Sequence, residues 1–161
     1  MLTEKERDEI EQELAKYCNS EPKSAAGIEA LKIVQRYRGW VSDDAIRDIA
    51  GVLEMTPEEL DGVATFYNLI FRRQVGRHVI LICTTISCWV MGYEDILNHL
   101  QERLGIQVGE TTADGRFTLL PVPCLGACDG APAIMVDDTL YPNVSRVRID
   151  DILSDYNGGQ R

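Results

Sequence analysis

The sequence predicts an α+β protein with two parts, a small N-terminal helical bundle and a second part in which strands and helices alternate. Hydrophobic residues recur at helical spacing up to residue 76, and short β-rich runs replace that pattern beyond it. The chain of 161 residues, 45% of them hydrophobic, is long enough to bury a core in each part. We therefore predict a helical domain at residues 1–76 and a second domain at residues 77–161.

A serine or threonine that is suited to cap a helix precedes each hydrophobic run of the first part. These cap residues are Thr3, Ser24, Ser42 and Thr56. Glu6 and Glu59 follow two of them at capping-box spacing, and Pro57 suits the first turn of a helix. Gly39 is placed to end the second helix. The sequence therefore predicts a bundle of short helices.

The second part has the order strand, helix, strand, strand, helix. The corresponding segments are RHVILIC at 77–83, GYEDILNHLQERLG at 92–105, FTLLPV at 117–122, AIMV at 133–136 with the run around Leu140 and Tyr141, and RIDDILSDY at 148–156. A strand that returns through a helix is almost always parallel to the first, on a right-handed crossover. The two short strands, split by Asp137 and Asp138, predict a hairpin. This order is that of a small thioredoxin-like domain.

Four cysteines lie where the first two predicted strands end. Cys83 and Cys88 form a C-x4-C pair after the first strand, and Cys124 and Cys128 form a C-x3-C pair after the second. Because the carboxyl ends of parallel strands share one edge of a sheet, we expect the two loops to lie side by side. Such a set of thiolates suits an iron–sulfur cluster or a zinc ion. The wide C-x4-C loop favours a two-iron centre, and no spacing here decides the question.

Thiol chemistry is a third use of these cysteines. A thioredoxin-like order makes a redox dithiol attractive, but the usual C-x-x-C at a helix start is absent. A structural disulfide is disfavoured because the chain has five cysteines, an odd count, and no secretory signal at its start. Cys18, the fifth cysteine, is interpreted as an incidental thiol.

Charge and hydropathy narrow the classes of partner. The net charge of -10 repels nucleic acid and anionic lipid surfaces, so we expect no nucleic-acid partner. No apolar stretch approaches the roughly 20 residues that span a bilayer, so we expect no direct membrane insertion. Nothing in the sequence resembles a nucleotide-binding loop or a catalytic triad. The isolated chain is therefore not expected to be catalytic by itself.

Three sequence blocks together resemble one known family. EALKIVQRYRGWVSDDAI, LDGVATFYNLIF and the C-x4-C pair with GRFTLLPVPCLGAC resemble, in that order, the thioredoxin-fold subunits that carry a [2Fe-2S] cluster in respiratory complex I, the NADH-quinone oxidoreductase of bacteria. The match runs from the second predicted helix to the last. Related subunits serve NAD-linked hydrogenases and formate dehydrogenases, so an equivalent role in one of those assemblies stays open. An interaction module in which the four cysteines hold a structural zinc ion also stays open.

The resemblance implies a cofactor, a site and a partner. It implies that Cys83, Cys88, Cys124 and Cys128 ligate one [2Fe-2S] cluster, with no catalytic residue in this chain. The cluster would exchange single electrons with the FMN of a partner flavoprotein subunit that binds NADH. Other subunits of the peripheral arm of complex I would complete the oxidoreductase. We accordingly expect a cytoplasmic location, peripheral to the inner membrane through the complex.

Two groups of apolar residues have open roles. Trp89 and Met91, next to Cys88, would either shield the cluster from water or pack the following helix. The segment from Val63 to Phe71 holds more large apolar side chains than one helix face buries, which is typical of an interface. We therefore expect the helical domain to dock onto the flavoprotein.

Overall fold

The computed structural model describes residues 1–17 and 22–158, with side chains described as far as Tyr156. It divides into two compact units, Met1–Gln74 and Val75–Arg161. Helices make up the first unit, and a mixed sheet with helices makes up the second. The predicted α+β class is confirmed. Cys18 lies outside the described residues, so its interpretation stays a prediction.

The helices of the first unit begin and end largely where the caps predict. They are α1 at Glu4–Leu14, α2 at Gly27–Arg38, α3 at Asp43–Leu53 and α4 at Pro57–Phe66. Thr3 and Thr56 form capping boxes, Ser42 accepts a hydrogen bond from the Ala45 amide, and Gly39 ends α2 with a φ of 79°. Ser24 differs, because it lies in a 3-10 turn at Lys23–Ala26 and does not cap α2.

The core of the first unit is aliphatic, and an ion pair lies at its edge. Leu31, Ile49 and Leu60 from α2, α3 and α4 are fully buried in it. Glu6 of α1, only 1% exposed, accepts hydrogen bonds at 2.6 Å from both Nε and Nη2 of Arg38. The paired guanidinium lowers the pKa of Glu6 to about 2 against the opposing effect of burial. This pair joins α1 to the last turn of α2.

The second unit is built on a four-stranded sheet. Its elements are β1 at His78–Cys83, α5 at Ile86–Val90, α6 at Tyr93–Leu104, β2 at Phe117–Val122, β3 at Ile134–Val136, β4 at Thr139–Tyr141 and α7 at Arg146–Gly158. The strand order is β2-β1-β3-β4. β1 pairs in parallel with β2, while β3 is antiparallel to both β1 and β4. The predicted parallel pair and hairpin are both confirmed.

Helix α5 was not predicted, and it changes the setting of Cys88. The sequence interpretation placed this cysteine in a loop, whereas it lies within the five residues Ile86–Val90 of α5. The helix is too short to show an apolar period, so its sequence carries no helical signal. Thr85 stands before it in an extended conformation without a side-chain capping bond. Cys88 is therefore held by helical backbone instead of by a free loop.

The length and apolar character of the helices bear on membrane insertion. Within residues 1–17 and 22–158, no helix combines the two to the degree that crossing a bilayer requires.

Candidate metal centre

Cys83 is fixed by the sheet. It is the last residue of β1, and its amide donates to the Ala133 carbonyl at 3.2 Å while its register partner on β2 is Val122. The next residue continues the junction, because the Thr84 amide donates to the Val122 carbonyl at 3.0 Å. Cys83 is 2% exposed. Its backbone is thus set by hydrogen bonds on both sides.

Cys88 lies beside Cys83. It is 1% exposed, and each of the two thiols shifts the pKa of the other. Both belong to a small buried cluster with Ala131, against which Tyr93 and Leu125 also pack. The strand end and the short helix α5 therefore bring the first pair of predicted ligands together inside the protein.

Cys124 and Cys128 lie on the segment that follows β2, and both are exposed. The Gly126 amide donates a hydrogen bond to Cys124 Sγ at 3.2 Å, and Gly126 has a φ of 74°, a conformation that favours glycine. Cys128 begins a 3-10 turn that ends at Gly130. This second pair is carried on a tight, hydrogen-bonded turn.

Gly130 anchors that turn by a close backbone approach. A Cβ atom at this position would lie 2.4 Å from the Cβ atom of Pro142. The Asn143 amide donates to the Gly130 carbonyl at 2.6 Å, and the Gly130 amide donates to the Ala127 carbonyl at 3.1 Å. Only glycine fits there without a shift of backbone, so the position of Cys128 depends on it.

The two cysteine segments are neighbours without forming one compact set. Leu125, between Cys124 and Gly126, packs against the cluster that contains Cys83, and its amide lowers the pKa of the Cys83 thiol. The charge of Cys128 acts on Cys88. Within residues 1–17 and 22–158, no three side chains of His, Cys, Asp or Glu converge as ligands of a single metal ion. The structure thus brings Cys83 and Cys88 together and places Cys124 and Cys128 on the adjoining segment.

Hydrogen bonds decide the charge state of the first pair. Burial raises the pKa of the Cys83 thiol, but hydrogen bonds from the Thr85 hydroxyl and from the amides of Thr85 and Leu125 outweigh it and lower that pKa to about 7. Burial and the bond to Cys83 raise the pKa of the Cys88 thiol. Cys83 is therefore the first of the two to offer a thiolate, the form that binds metal.

The donor set fits an iron–sulfur cluster held as two pairs. Thiolates are the usual ligands of [2Fe-2S] clusters, and hydrogen bonds to the sulfurs are a common feature of such centres. Here two cysteines offer buried sulfurs, the Gly126 amide donates to Cys124 Sγ, and the Leu125 amide lowers the pKa of the Cys83 thiol. The four residues therefore match the group in chemistry and in pairing.

Apolar residues surround this edge of the second unit. Trp89 is 54% exposed and Met91 is 59% exposed, so neither is packed as part of a core. Ile86 and Val90 of the same helix are also exposed. Helix α5 thus presents a contiguous apolar surface next to Cys88, which is unusual on a monomer and typical of an interface.

Sequence reasoning missed two groups that contact the ligands. Thr85 Oγ1 lies 3.2 Å from Cys83 Sγ, and the Leu125 amide lowers the pKa of the same thiol. The hydroxyl of Thr85 could have been recognised from the sequence, because this threonine follows the strand-end cysteine by two positions. The second had no signal, because a backbone amide of a distant segment carries no mark in the sequence.

The chain is similar to known proteins along nearly its whole length. The family model described as thioredoxin-like [2Fe-2S] ferredoxin matches residues 10–157. The chain is 50% identical over 156 residues to the E subunit of the NADH-quinone oxidoreductase of Pseudomonas aeruginosa, covering 97% of this chain and 92% of that protein. The corresponding protein of Escherichia coli is 48% identical over 155 residues, covering 96% and 92%. That of Buchnera aphidicola from Acyrthosiphon pisum is 47% identical, covering 96% and 94%.

Solved structures agree on the fold. The crystal structure of an NAD+-reducing [NiFe]-hydrogenase in its reduced state matches with a TM-score of 0.73 at 23% identity, over 88% of this chain and 24% of the hydrogenase chain. Its air-oxidized state matches with a TM-score of 0.70 at 25% identity, over 82% and 23%. This chain therefore spans about a quarter of the hydrogenase chain that it resembles. From the family match and the near full-length relatives, the chain belongs to the thioredoxin-like [2Fe-2S] ferredoxin family.

Proposed function

We propose that this chain is the electron-transfer subunit of an NADH-quinone oxidoreductase and carries one [2Fe-2S] cluster. The observation that carries the proposal is the 50% identity over 97% of the chain to a protein named as the E subunit of that oxidoreductase. The family match extends over residues 10–157, which include all four cysteines of the sheet edge. The candidate site consists of cysteine thiols, which is also consistent with a role as an electron carrier.

The ligands of the cluster are Cys83, Cys88, Cys124 and Cys128. The bound cluster supplies one-electron chemistry, which its iron undergoes without breaking bonds to the protein. The chain's own residues bury the sulfurs of Cys83 and Cys88 and direct amides at ligand sulfurs. Burial of this kind limits the access of water, and the amides offset negative charge on sulfur.

The electrons are exchanged with FMN in a partner flavoprotein subunit that binds NADH. Single-electron exchange requires the cluster to be held at a fixed position beside the flavin, and therefore requires a stable interface. Two exposed apolar segments support such an interface. One is helix α5 with Trp89, and the other includes Phe66, which is 80% exposed, and Tyr67 at the end of α4. Aromatic side chains of this type are enriched at protein interfaces.

An equivalent subunit of an NAD-linked hydrogenase is the second candidate. The fold match to an NAD+-reducing [NiFe]-hydrogenase, with a TM-score of 0.73, favours it. That match has only 23% sequence identity and covers 24% of the hydrogenase chain, so the hydrogenase subunit is the weaker candidate. Both candidates need the same cluster and a flavin partner, and they differ in the final reaction.

Isolation of the native complex through a tag on this chain separates the candidates. For an NADH-quinone oxidoreductase, the isolated complex reduces a soluble quinone with NADH, and NADH reduces its [2Fe-2S] cluster, so that the electron paramagnetic resonance signal of the reduced cluster appears. The chain alone, loaded with cluster, is not reduced by NADH. A complex that reduces NAD+ with hydrogen gas would establish the second candidate. Reduction of the cluster in the isolated chain by NADH alone would contradict the need for a flavin partner.

A further inference from the structure

We propose that Thr85 is a positioning residue for electron transfer, which donates its Oγ1–H to Cys83 Sγ and thereby raises the reduction potential of the cluster. The proposal rests on the proposed function, because it needs the cluster to be bound at Cys83. It concerns a residue that binds no iron itself. The hydroxyl of Thr85 changes the reduction potential of the cluster and not the amount of cluster that is bound.

The geometry of the hydroxyl supports a bond to sulfur. Thr85 Oγ1 lies 3.2 Å from Cys83 Sγ, a normal distance for a hydrogen bond that involves sulfur. Either atom of a free thiol and hydroxyl pair is able to donate. A cysteine that ligates iron has lost its proton, so the threonine is then the only donor of the pair. Metal binding therefore fixes the direction of this hydrogen bond.

Surroundings of low polarity strengthen the effect. Cys83 is 2% exposed and belongs to a buried cluster with Cys88 and Ala131. Water therefore has little access to screen the sulfur, and a nearby dipole acts on it strongly. The amides of Thr85 and Leu125 also lower the pKa of this thiol by hydrogen bonding, so the Thr85 hydroxyl adds to two backbone donors.

Reduction of the cluster increases the negative charge on the sulfur to which these donors are hydrogen-bonded. One electron passes from an external reductant to the cluster, no covalent bond breaks, and no proton is transferred. Part of the added charge is shared with the ligand sulfurs, so a hydrogen-bond donor stabilises the reduced state more than the oxidised one. Hydrogen bonds to sulfur are among the main determinants of iron–sulfur potentials. The hydroxyl of Thr85 thus favours acceptance of an electron.

The neighbouring threonine provides a matched control. Thr84 Oγ1 donates to the Val122 carbonyl at 3.1 Å and makes its bond with the end of β2 instead of with sulfur. Thr84→Val and Thr85→Val each remove one side-chain hydroxyl, and the two residues are adjacent in the sequence. Both are half-buried, so the change in shape and polarity is closely similar. Only Thr85→Val removes a donor to a ligand sulfur.

The test is a redox titration of the cluster-loaded full chain, followed by electron paramagnetic resonance. Thr85→Val is expected to lower the midpoint potential, so that the ratio of reduced to oxidised cluster at a fixed potential falls about three- to tenfold, where tenfold corresponds to 59 mV. Thr85→Ser, which keeps the hydroxyl, should restore the wild-type potential. Thr84→Val should leave it unchanged.

Several results would overturn this inference. A wild-type potential in Thr85→Val, or an equal shift in Thr84→Val, removes the specific role of Thr85. Thr85→Ala provides a second deletion of the hydroxyl. If both Thr85→Val and Thr85→Ala fail to hold a cluster while Thr84→Val holds one, Thr85 is required for assembly and the tuning role is rejected. A wild-type chain that binds no [2Fe-2S] cluster contradicts the proposed function itself, a different outcome from an unshifted potential.

Discussion

Cys83 and Val122 are the last paired residues of the parallel strands β1 and β2. This register means that the segments after both strands leave the sheet at one edge. Cys124 then follows Val122 by two positions, and Leu125 packs against the buried cluster that contains Cys83. The strand pairing therefore sets the edge of the sheet at which the two cysteine segments lie.

Serine substitution at the cluster ligands is the first prediction. Cys83→Ser, Cys88→Ser, Cys124→Ser and Cys128→Ser should each reduce the iron content of the purified chain or destabilise the bound cluster, since a hydroxyl is a poorer ligand of iron than a thiolate. Iron and acid-labile sulfide analysis measures the effect. Cys18→Ser is the control and should keep full iron content. Loss of iron in Cys18→Ser to the same degree would contradict the assignment of ligands.

A single methyl group at Gly130 is predicted to disturb the second cysteine segment. Gly130→Ala places a Cβ atom against Pro142, so the turn from Cys128 to Gly130 has to shift. Cluster occupancy should fall severalfold, and the unfolding free energy of the chain should fall by about 1–3 kcal/mol. Visible absorbance per chain and urea denaturation measure the two effects.

Gly62→Ala in α4 is the matched control for this glycine. A Cβ atom at Gly62 meets nothing within 4 Å, and the residue lies inside a helix. Alanine there should leave the cluster intact and raise stability by up to about 1 kcal/mol, because alanine favours the helix over glycine. Equal cluster content in Gly130→Ala and Gly62→Ala would show that the close approach at Gly130 has no role in the site.

Much of the architecture could be predicted because its signals are local. Thr3, Ser42 and Thr56 cap helices at the predicted positions, and the strand–helix–strand order predicts that β1 and β2 are parallel. The position of β3 between β1 and β4 could not be predicted in the same way. The pairing of β3 with β1 joins residues that are far apart in the sequence. The sequence of the β3–β4 hairpin indicates its turn, but it does not indicate which strand lies on the other side of β3.

The spacing of four cysteines at two strand ends predicts the ligands of the site, and that ligand set stays a prediction. The contacts of these cysteines could not be predicted. The burial of Cys83 and Cys88 and the exposure of Cys124 and Cys128 had no signal in the sequence, since that difference depends on packing against Ala131 and on helix α5. Ser24 shows the same limit on a smaller scale, because a 3-10 turn replaced the predicted cap.

The ion pair between Glu6 and Arg38 predicts a pH dependence of stability. The pKa of Glu6 is about 2 in the folded chain and 4.5 for an ordinary glutamate, the value expected in the unfolded chain, so folding favours the ionised form. Its contribution is complete above pH 4.5 and is lost as the pH falls from about 4.5 to 2. Arg38→Met should lower the unfolding free energy by about 2–3 kcal/mol at pH 7, because it leaves a buried carboxylate unpaired.

Urea denaturation at pH 7 and at pH 3 measures this effect. The unfolding free energy of Arg38→Met should lie below that of the wild-type chain at pH 7, and this difference should be smaller at pH 3. Arg47→Met is the control, since Arg47 pairs with Asp44 on the surface and both side chains are largely exposed. A deficit in Arg38→Met that does not change with pH, or a similar deficit in Arg47→Met, would show that the buried pair is not responsible.

Docking of the helical unit is predicted to depend on exposed aromatic side chains. Phe66 and Tyr67 pack edge to face, with ring centroids 5.2 Å apart. The double variant Phe66→Ser with Tyr67→Ser should weaken binding to the flavoprotein subunit at least about tenfold, with no change in cluster content, because aromatic anchors contribute much of the energy of an interface. A pull-down of the cluster-loaded chain, followed by a binding titration, measures it.

Two further variants locate the interface. Val147→Ser alters an exposed apolar residue on α7 and should bind the flavoprotein normally. Trp89→Ser tests the apolar surface of α5 next to Cys88. Normal binding by the aromatic double variant, together with weak binding by Trp89→Ser, would place the interface on the second unit alone and contradict docking by the helical unit.

The most direct test of the account is the metal content of the wild-type chain purified without air. We predict about two iron and two sulfide per chain and little zinc, in keeping with the [2Fe-2S] family to which the chain belongs. The protein should absorb visible light, and one-electron reduction should produce an electron paramagnetic resonance signal. One zinc per chain, with no visible absorbance and no signal on reduction, would contradict the account.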